Sequence, residues 1–195
     1  LKPISLGVHW ELPGEPPVVT KTSDVFFSGD AFLGTTPRLD GIAELKALAA
    51  EGIRIDIPEQ RLPRAEYLER MSKAWIAWSP AGYGWDCCRH YEAAAVGTVA
   101  LINYPTILRD EPFRDGEHCL LYAPEPGELS KAVIEALADK ERLERIAAAA
   151  NRHYRQHHTR RARAERITVT VLGRRLDGTP AMPAQAAAAG RAPRA

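Results

Sequence analysis

Cysteine is scarce in this chain and badly placed for bridging. Of the three among 195 residues, Cys87 and Cys88 are adjacent and Cys119 stands alone. An odd count with no paired spacing excludes a disulfide scaffold and fits a reducing, cytoplasmic setting. Long apolar runs are missing too: no stretch approaches the roughly 20 residues that a membrane span requires, and residues 1–12 lack the charged start and long apolar core of a signal peptide. An excess of one charge is absent, since 26 Lys and Arg stand against 25 Asp and Glu, a formal net charge of +1. That balance gives no long-range reason to expect nucleic acid or an anionic membrane as a partner. Neither Gly-x-Gly-x-x-Gly nor Gly-x-x-x-x-Gly-Lys-[Ser/Thr] follows a predicted strand, which removes the familiar dinucleotide and P-loop signatures. No Asp-x-Asp and no internal repeat is visible.

What remains is a chain long enough for one domain plus tails, and a domain of about 150 residues buries roughly 68–70% of its unfolded surface without staples. Residues 1–20 carry Pro3, Pro13, Pro16 and Pro17 and suit a linker or lead-in segment. Residues 21–158 read as the folded domain. Val25-Phe26-Phe27 ending at Ser28-Gly29 is a strand; Thr36 and Pro37 open a helix whose Leu39, Ile42, Leu45 and Leu48 recur every three residues until Gly52. Ile53–Ile57 is a second strand, and Pro63 opens a second helix with Tyr67, Leu68 and Met71 on its apolar face. Strands follow at 74–78, 99–103 and 119–122, with a helix around Glu92 between the first two, and helices are expected at about 127–138 and 140–156.

Strands apolar on both faces and alternating with helices predict an α/β fold: a doubly wound, mostly parallel, Rossmann-like sheet with a helical C-terminal segment. Residues 159–195, dominated by Arg, Ala, Pro and Gly, read as a basic and largely disordered tail, with a short strand expected at Val169–Leu172. Ligands of such sheets sit beyond the strand C-termini. Ser28-Gly29, Ser79 to Gly84 and Asn103-Tyr104 all fall there.

The stretch from Gly82 to Ile102 carries the most information: a polar loop with Gly82 and Gly84, then a helix expected to begin near Trp85 or Asp86, then a buried strand. Its pattern Arg89-x-x-Glu92-Ala93-x-x-x-Gly97-x-x-x-Leu101-Ile102 resembles the donor-binding segment in the C-terminal half of GT-B glycosyltransferases of the group-1 or spore-maturation-protein-like kind. The resemblance covers roughly residues 21–158. It implies that Glu92 grips the ribose hydroxyls of a nucleotide-sugar, a UDP- or GDP-sugar above all, and that the preceding loop faces sugar and diphosphate. It implies no divalent metal and no separate cofactor. It also implies an N-terminal acceptor domain for which this chain, beginning at Leu1 rather than Met, is too short. Many retaining members carry a second Glu eight residues before the ribose Glu; here that position is Gly84. The sugar-holding residue and the stereochemical outcome stay open, and exostosin-like transferases share the Arg-x-x-Glu-Ala pattern.

A carboxylate suits vicinal hydroxyls because it accepts two hydrogen bonds side by side; the plainer role for Glu92 is a pair with Arg89 one turn earlier. Arg38, matching the basic residue that faces the donor diphosphate in similar domains, can offset charge on the leaving group, with Ser28 and Gly29 as backbone donors. Arg89, Asp86 and His90 are alternative contacts to sugar or diphosphate, and Asp86 and His90 are the candidates for a catalytic role that is otherwise unassigned. Trp85 and Tyr83 can stack on base or sugar, while Asn103 and Tyr104 lie just past a strand end. A zinc site is rejected: His90-x-Glu92 lacks a downstream Pro-Cys-x-x-Cys, and Cys87, Cys88 and His90 crowd one turn. The basic run from His153 to Arg163 has no aromatic interleaving beyond Tyr154, so nucleic acid is not expected. The rival to a transferase is a non-catalytic Rossmann-like module that binds a nucleotide or a protein.

Overall fold

Alternating apolar runs and helices produce the expected three-layer architecture. The computed structural model describes residues 8, 10–30, 36–82 and 84–179. Five strands, β1 (Ser23–Phe26), β2 (Ile55–Asp56), β3 (Ala74–Trp78), β4 (Val99–Asn103) and β5 (Leu120–Tyr122), form one sheet in the order β2-β1-β3-β4-β5. Every pairing is parallel, with Val25 opposite both Ile55 and Ile76, Ala77 opposite Ala100, and Leu101 opposite Leu120. The helices are α1 (Thr36–Ala50), α2 (Arg64–Ser72), α3 (Cys88–Ala95), α4 (Glu128–Leu137), α5 (Lys140–His153) and α6 (Arg160–Leu172).

Two apolar clusters cover the two faces of the sheet. One joins Leu45 and Leu48 of α1 and Leu129 and Val133 of α4 to Val25, Ile76 and Leu101. The other joins Met71 of α2 and Ala93 to Val96 at the end of α3 to Phe26, Ala77 and Ile102, with Trp10 and Leu12 of the leading segment against it. Helix α5 contributes Leu143 and Ile146 to the first cluster and Ala150 to the second. It crosses the N-terminal edge of the sheet, where Lys140 meets Asp24 at 3.3 Å and Asn151 Nδ2 donates to the last carbonyls of α3, Ala94 and Ala95.

Three expectations are corrected. The stripe Leu39, Ile42, Leu45, Leu48 is not one face: steps of three drift steadily off a 3.6-residue period. The buried line is Arg38, Gly41, Leu45 and Leu48, and Leu39 is 53% exposed. Val169–Leu172 is not a strand but the end of α6, started by Thr159, whose hydroxyl accepts from the Ala162 N–H at 3.1 Å, and closed by left-handed Gly173. The cap and the roughly two and a half turns that follow it before Val169 override the β preference of Val169 and Val171. The single helix expected over 140–156 instead winds into a π turn at Tyr154–His158. Its wider winding brings residues five apart into line, so His153 and His158 both present Nε2 to the Glu111 carbonyl at 2.8 Å. Residues 180–195 of the expected tail lie outside the described residues.

Gly41 is where α1 meets the sheet most closely. A Cβ there would stand 2.2 Å from Trp78 Cζ2, and Trp78 is pinned by its indole N–H donating to Tyr122 Oη at 2.8 Å and by the Phe27 ring at 4.6 Å. Gly41→Ala is therefore expected to destabilise the domain by about 1–3 kcal/mol through overpacking, although Ala favours a helix by about 1 kcal/mol. Urea unfolding would show a lower midpoint at unchanged slope; an equal or higher midpoint would contradict this packing.

Candidate functional site

The chain leaves β1 toward β2 on one side and leaves β3 toward β4 on the other. A crevice opens between the C-terminal ends of these two neighbouring strands, the place where open α/β sheets hold ligands. Ser28-Gly29 follows β1 and residues 79–87 follow β3, so both predicted loops border it.

Two guanidiniums enter this crevice from opposite helices. Arg38, in the first turn of α1 and 5% exposed, donates from Nη1 to the Asp30 carbonyl at 2.6 Å and from Nη2 to the Ala81 carbonyl at 3.2 Å, tying the two loops together. Arg89, in the first turn of α3, donates from Nη2 to the Ser28 carbonyl at 2.9 Å and lies 4.9 Å over the Phe27 ring. Both Nε atoms are buried without a hydrogen-bond partner, and neither side chain forms an ion pair with a carboxylate among the described residues. Burial first, and then the like charge of Arg89, push the Arg38 guanidinium below its ordinary value.

Two glycines make room for them. A Cβ on Gly29 would lie 2.7 Å from Arg89 Nη2, and one on Gly82 would lie 2.8 Å from Arg38 Nη2. Gly82 donates its N–H to the Gly84 carbonyl at 3.1 Å, so its part here is to admit a guanidinium. Gly84 has open space around it.

Buried polar groups fix the loop after β3. Asn103, 1% exposed at the end of β4, accepts the Ala81 N–H at 2.7 Å, while its Nδ2 is left without a partner. His90, 1% exposed, accepts from Ser79 Oγ at Nδ1 (2.8 Å) and directs Nε2 to the Trp85 carbonyl at 3.3 Å. Burial favours the neutral ring, and because a carbonyl only accepts, the one proton sits on Nε2 and leaves Nδ1 to accept from Ser79. Asp86 stays outside α3, because Cys87 is extended at φ −110° and ψ 141°, and it accepts from Tyr91 Oη at 2.7 Å. Only Arg89 and Glu92 therefore share the helix sector. Trp85 is half-buried, Tyr104 is 50% exposed, and Tyr83 lies outside the described residues. Burial pushes the thiols of Cys88 and Cys119 up, Cys119 to about 12, as expected of packing residues.

Glu92 is 4% exposed and does not pair with Arg89. Its Oε2 accepts from Tyr67 Oη at 2.7 Å and its Oε1 from Arg64 Nη1 at 3.2 Å, both donors coming from α2. Sequence reading passed over Arg64 and placed Tyr67 only on an apolar face. The one available signal was Pro63, which puts Arg64 at a helix start on the strand-end side of the sheet. Phe27 and Ser79 were likewise missed as supports of Arg89 and His90. A cavity of about 360 Å³ lies elsewhere, lined by Arg114, His118, Arg152, His153 and His157.

With this geometry in view, the comparisons are specific about the family. The model of the glycosyl transferase-like family matches residues 45–168, more than half of the chain. No curated protein matches. Among solved structures, sucrose-phosphate synthase from Thermosynechococcus elongatus is similar at TM-score 0.58 and 17% identity, over 80% of this chain and 49% of that one. Anabaena Alr3699/HepE, solved with UDP-glucose, is similar at TM-score 0.54 and 14% identity, over 78% and 49%. WaaG, a glycosyltransferase involved in lipopolysaccharide biosynthesis, is similar at TM-score 0.51 and 15% identity, over 79% and 48%. The chain spans about half the length of these structures, and their likeness shows the doubly wound parallel fold. No helix among the described residues is long and apolar enough to cross a membrane.

His90 and His158 are both buried, and burial lowers each from 6.5 to about 3. Between those values the unfolded chain takes up protons that the folded chain refuses, so stability is lost as pH falls below about 6.5. At pH 5 each group is expected to cost about 2 kcal/mol relative to neutral pH. Urea titrations at pH 7.5 and pH 5 check this; equal unfolding free energies would show that neither ring is held neutral.

Proposed function

Because the chain belongs to the glycosyl transferase-like family, we propose that the crevice between β1 and β3 holds the diphosphate of a nucleotide-sugar and that this domain is the donor-binding half of a glycosyltransferase. One observation carries the reading: Arg38 and Arg89 converge on the crevice, and among the described residues neither forms an ion pair with a carboxylate, Asp30 acting on Arg38 only at longer range. Two partly desolvated cations side by side repel each other, and an anion between them reverses that cost. When a glycosidic bond to a nucleoside diphosphate breaks, negative charge builds on the leaving phosphate, where preorganised guanidiniums stabilise it. Transfer then needs little from the protein at the diphosphate beyond positioning and charge.

Other residues take supporting parts. Glu92, about one turn beyond Arg89, takes the ribose hydroxyls. Asn103 and His90 hold the loop after β3 in place, and their hydrogen bonds mark them as positioning residues. Trp85 and Tyr104 border the edge where base and sugar stack. The donor is a UDP- or GDP-sugar, with no metal or cofactor called for, and three free cysteines suit a cytoplasmic protein. The acceptor pocket belongs to a second domain, so this chain alone binds the donor and transfers little.

Calorimetric titration with UDP, GDP and uridine, on the chain and on Arg38→Gln, tests the reading. Micromolar binding of a diphosphate, absent for uridine and weakened ten- to a hundredfold by Arg38→Gln (about 1.5–3 kcal/mol), is the expected result. Failure of every diphosphate to bind a folded sample would remove it. The open surroundings of Gly84, where many transferases carry a carboxylate, favour the second reading, a non-catalytic nucleotide-binding module. Binding without transfer, after the chain is rejoined to an upstream acceptor domain, would favour that module.

A further inference from the structure

The carboxylate that the donor site needs open is closed. Glu92 has a side chain 5% exposed, and each of its oxygens already accepts a hydrogen bond. The two donors are held very differently. Tyr67 lies within α2, with its ring edge-on to Phe26 at 5.6 Å and its hydroxyl enclosed beside Glu92 and Arg89. Burial keeps that phenol protonated, so it is a fixed donor.

Arg64 is the first residue of α2, its side chain is 38% exposed, and its 3.2 Å contact is long for a charge-assisted bond. It does not rest on α2 alone. Its guanidinium lies 4.0 Å from the centre of the Trp10 ring, and Trp10 belongs to the segment that precedes β1 and packs against the same apolar cluster as α3. Arg64 reaches Glu92 through one bond, Nη1 to Oε1, while Tyr67 holds Oε2. Each carboxylate oxygen has two lone pairs, so release of Arg64 frees Oε1 and leaves a second acceptor position on Oε2 for a pair of vicinal hydroxyls.

We propose that Arg64, stacked on Trp10, is a displaceable latch over the ribose subsite, so that a nucleoside diphosphate binds by exchanging its vicinal hydroxyls for Arg64 while Tyr67 stays in place. The latch rests on the donor-site reading given above. It makes the segment before β1 part of the site: Trp10 sets how firmly Glu92 is covered, and a shift of that segment changes donor affinity without touching the diphosphate pocket.

The test compares three proteins, the chain itself, Arg64→Ala and Trp10→Phe, titrated calorimetrically with UDP, 2′,3′-dideoxy-UDP and inorganic pyrophosphate. Arg64→Ala is expected to bind UDP three- to tenfold more tightly, with pyrophosphate and the dideoxy compound unchanged within twofold. Trp10→Phe keeps apolar packing but weakens the stack, and is expected to fall between the other two proteins. Circular dichroism confirms that the variants fold. Weaker or unchanged UDP binding by folded Arg64→Ala, or an equal change for pyrophosphate, would overturn the latch and leave the diphosphate site standing. Absence of UDP and pyrophosphate binding in all three would overturn both readings.

Discussion

The site depends on β1 lying parallel beside β3. The pairing joins residues about fifty apart, Val25 with Ile76 and Phe26 with Ala77, and it forms only if the intervening helix, strand and helix fold back with right-handed crossovers. Once it forms, the outgoing chains must diverge, because each strand sends its helix to a different face. Neither loop can then cover the gap between the strand ends. The opening is therefore a product of connectivity, and the same sheet with the strands in sequence order would have none there.

What fills the opening shows a division of charge between the two edges of the sheet. At the N-terminal edge charges are matched: Asp24 accepts from Arg54 through both oxygens and from Lys140, and the Arg54 bonds hold its carboxyl down at about 2. The Lys21 ammonium there donates to the carbonyls of Ser72, Ala74 and Gly97, and the nearby Glu144 carboxylate partly offsets its burial. At the C-terminal edge Arg38 and Arg89 meet carbonyl oxygens and an aromatic face, partners that hold a guanidinium without cancelling its charge. The fold accepts two like charges in close quarters, and Gly29 and Gly82 supply the space that any larger residue would take from them. Such an arrangement costs stability, because burial and like charge both act against the Arg38 guanidinium.

Much of the fold was legible in the sequence because its elements are bounded by local signals. Strands β3 and β4 fall at the residues expected, and Pro63 and Gly52 punctuate helices as their backbone chemistry demands. Misreadings occurred where a tertiary partner decides. Leu39 looked apolar and in step, yet α1 turns Arg38 inward, where the Asp30 and Ala81 carbonyls accept from its guanidinium. Val169 and Val171 looked like strand, yet a cap ten residues upstream commits them to a helix. For the candidate site, proximity to the strand ends could be read off the loops, and Arg38 and Arg89 do lie beside the loops that follow β1 and β3. The pairing of Glu92 with Arg64 and Tyr67 could not be read, since it spans separations of 28 and 25 residues and no periodicity on α2 or α3 encodes it. Side-chain partnership between helices is visible only after the helices are packed.

The crossing of α5 beneath the sheet has a consequence for how the molecule comes apart. Leu143 and Ile146 anchor its first half in one apolar layer, while Ala150 and the following Tyr154 anchor the other end in the opposite layer. Among the described residues, the two layers share no other helix in this way. Separation of either one from the sheet must strip part of α5 from its seat and loosen the hold of Asn151 on the end of α3. A single helix thereby acts as a rivet through the domain, so the two halves of the core melt as one cooperative unit and neither persists as a partly folded layer.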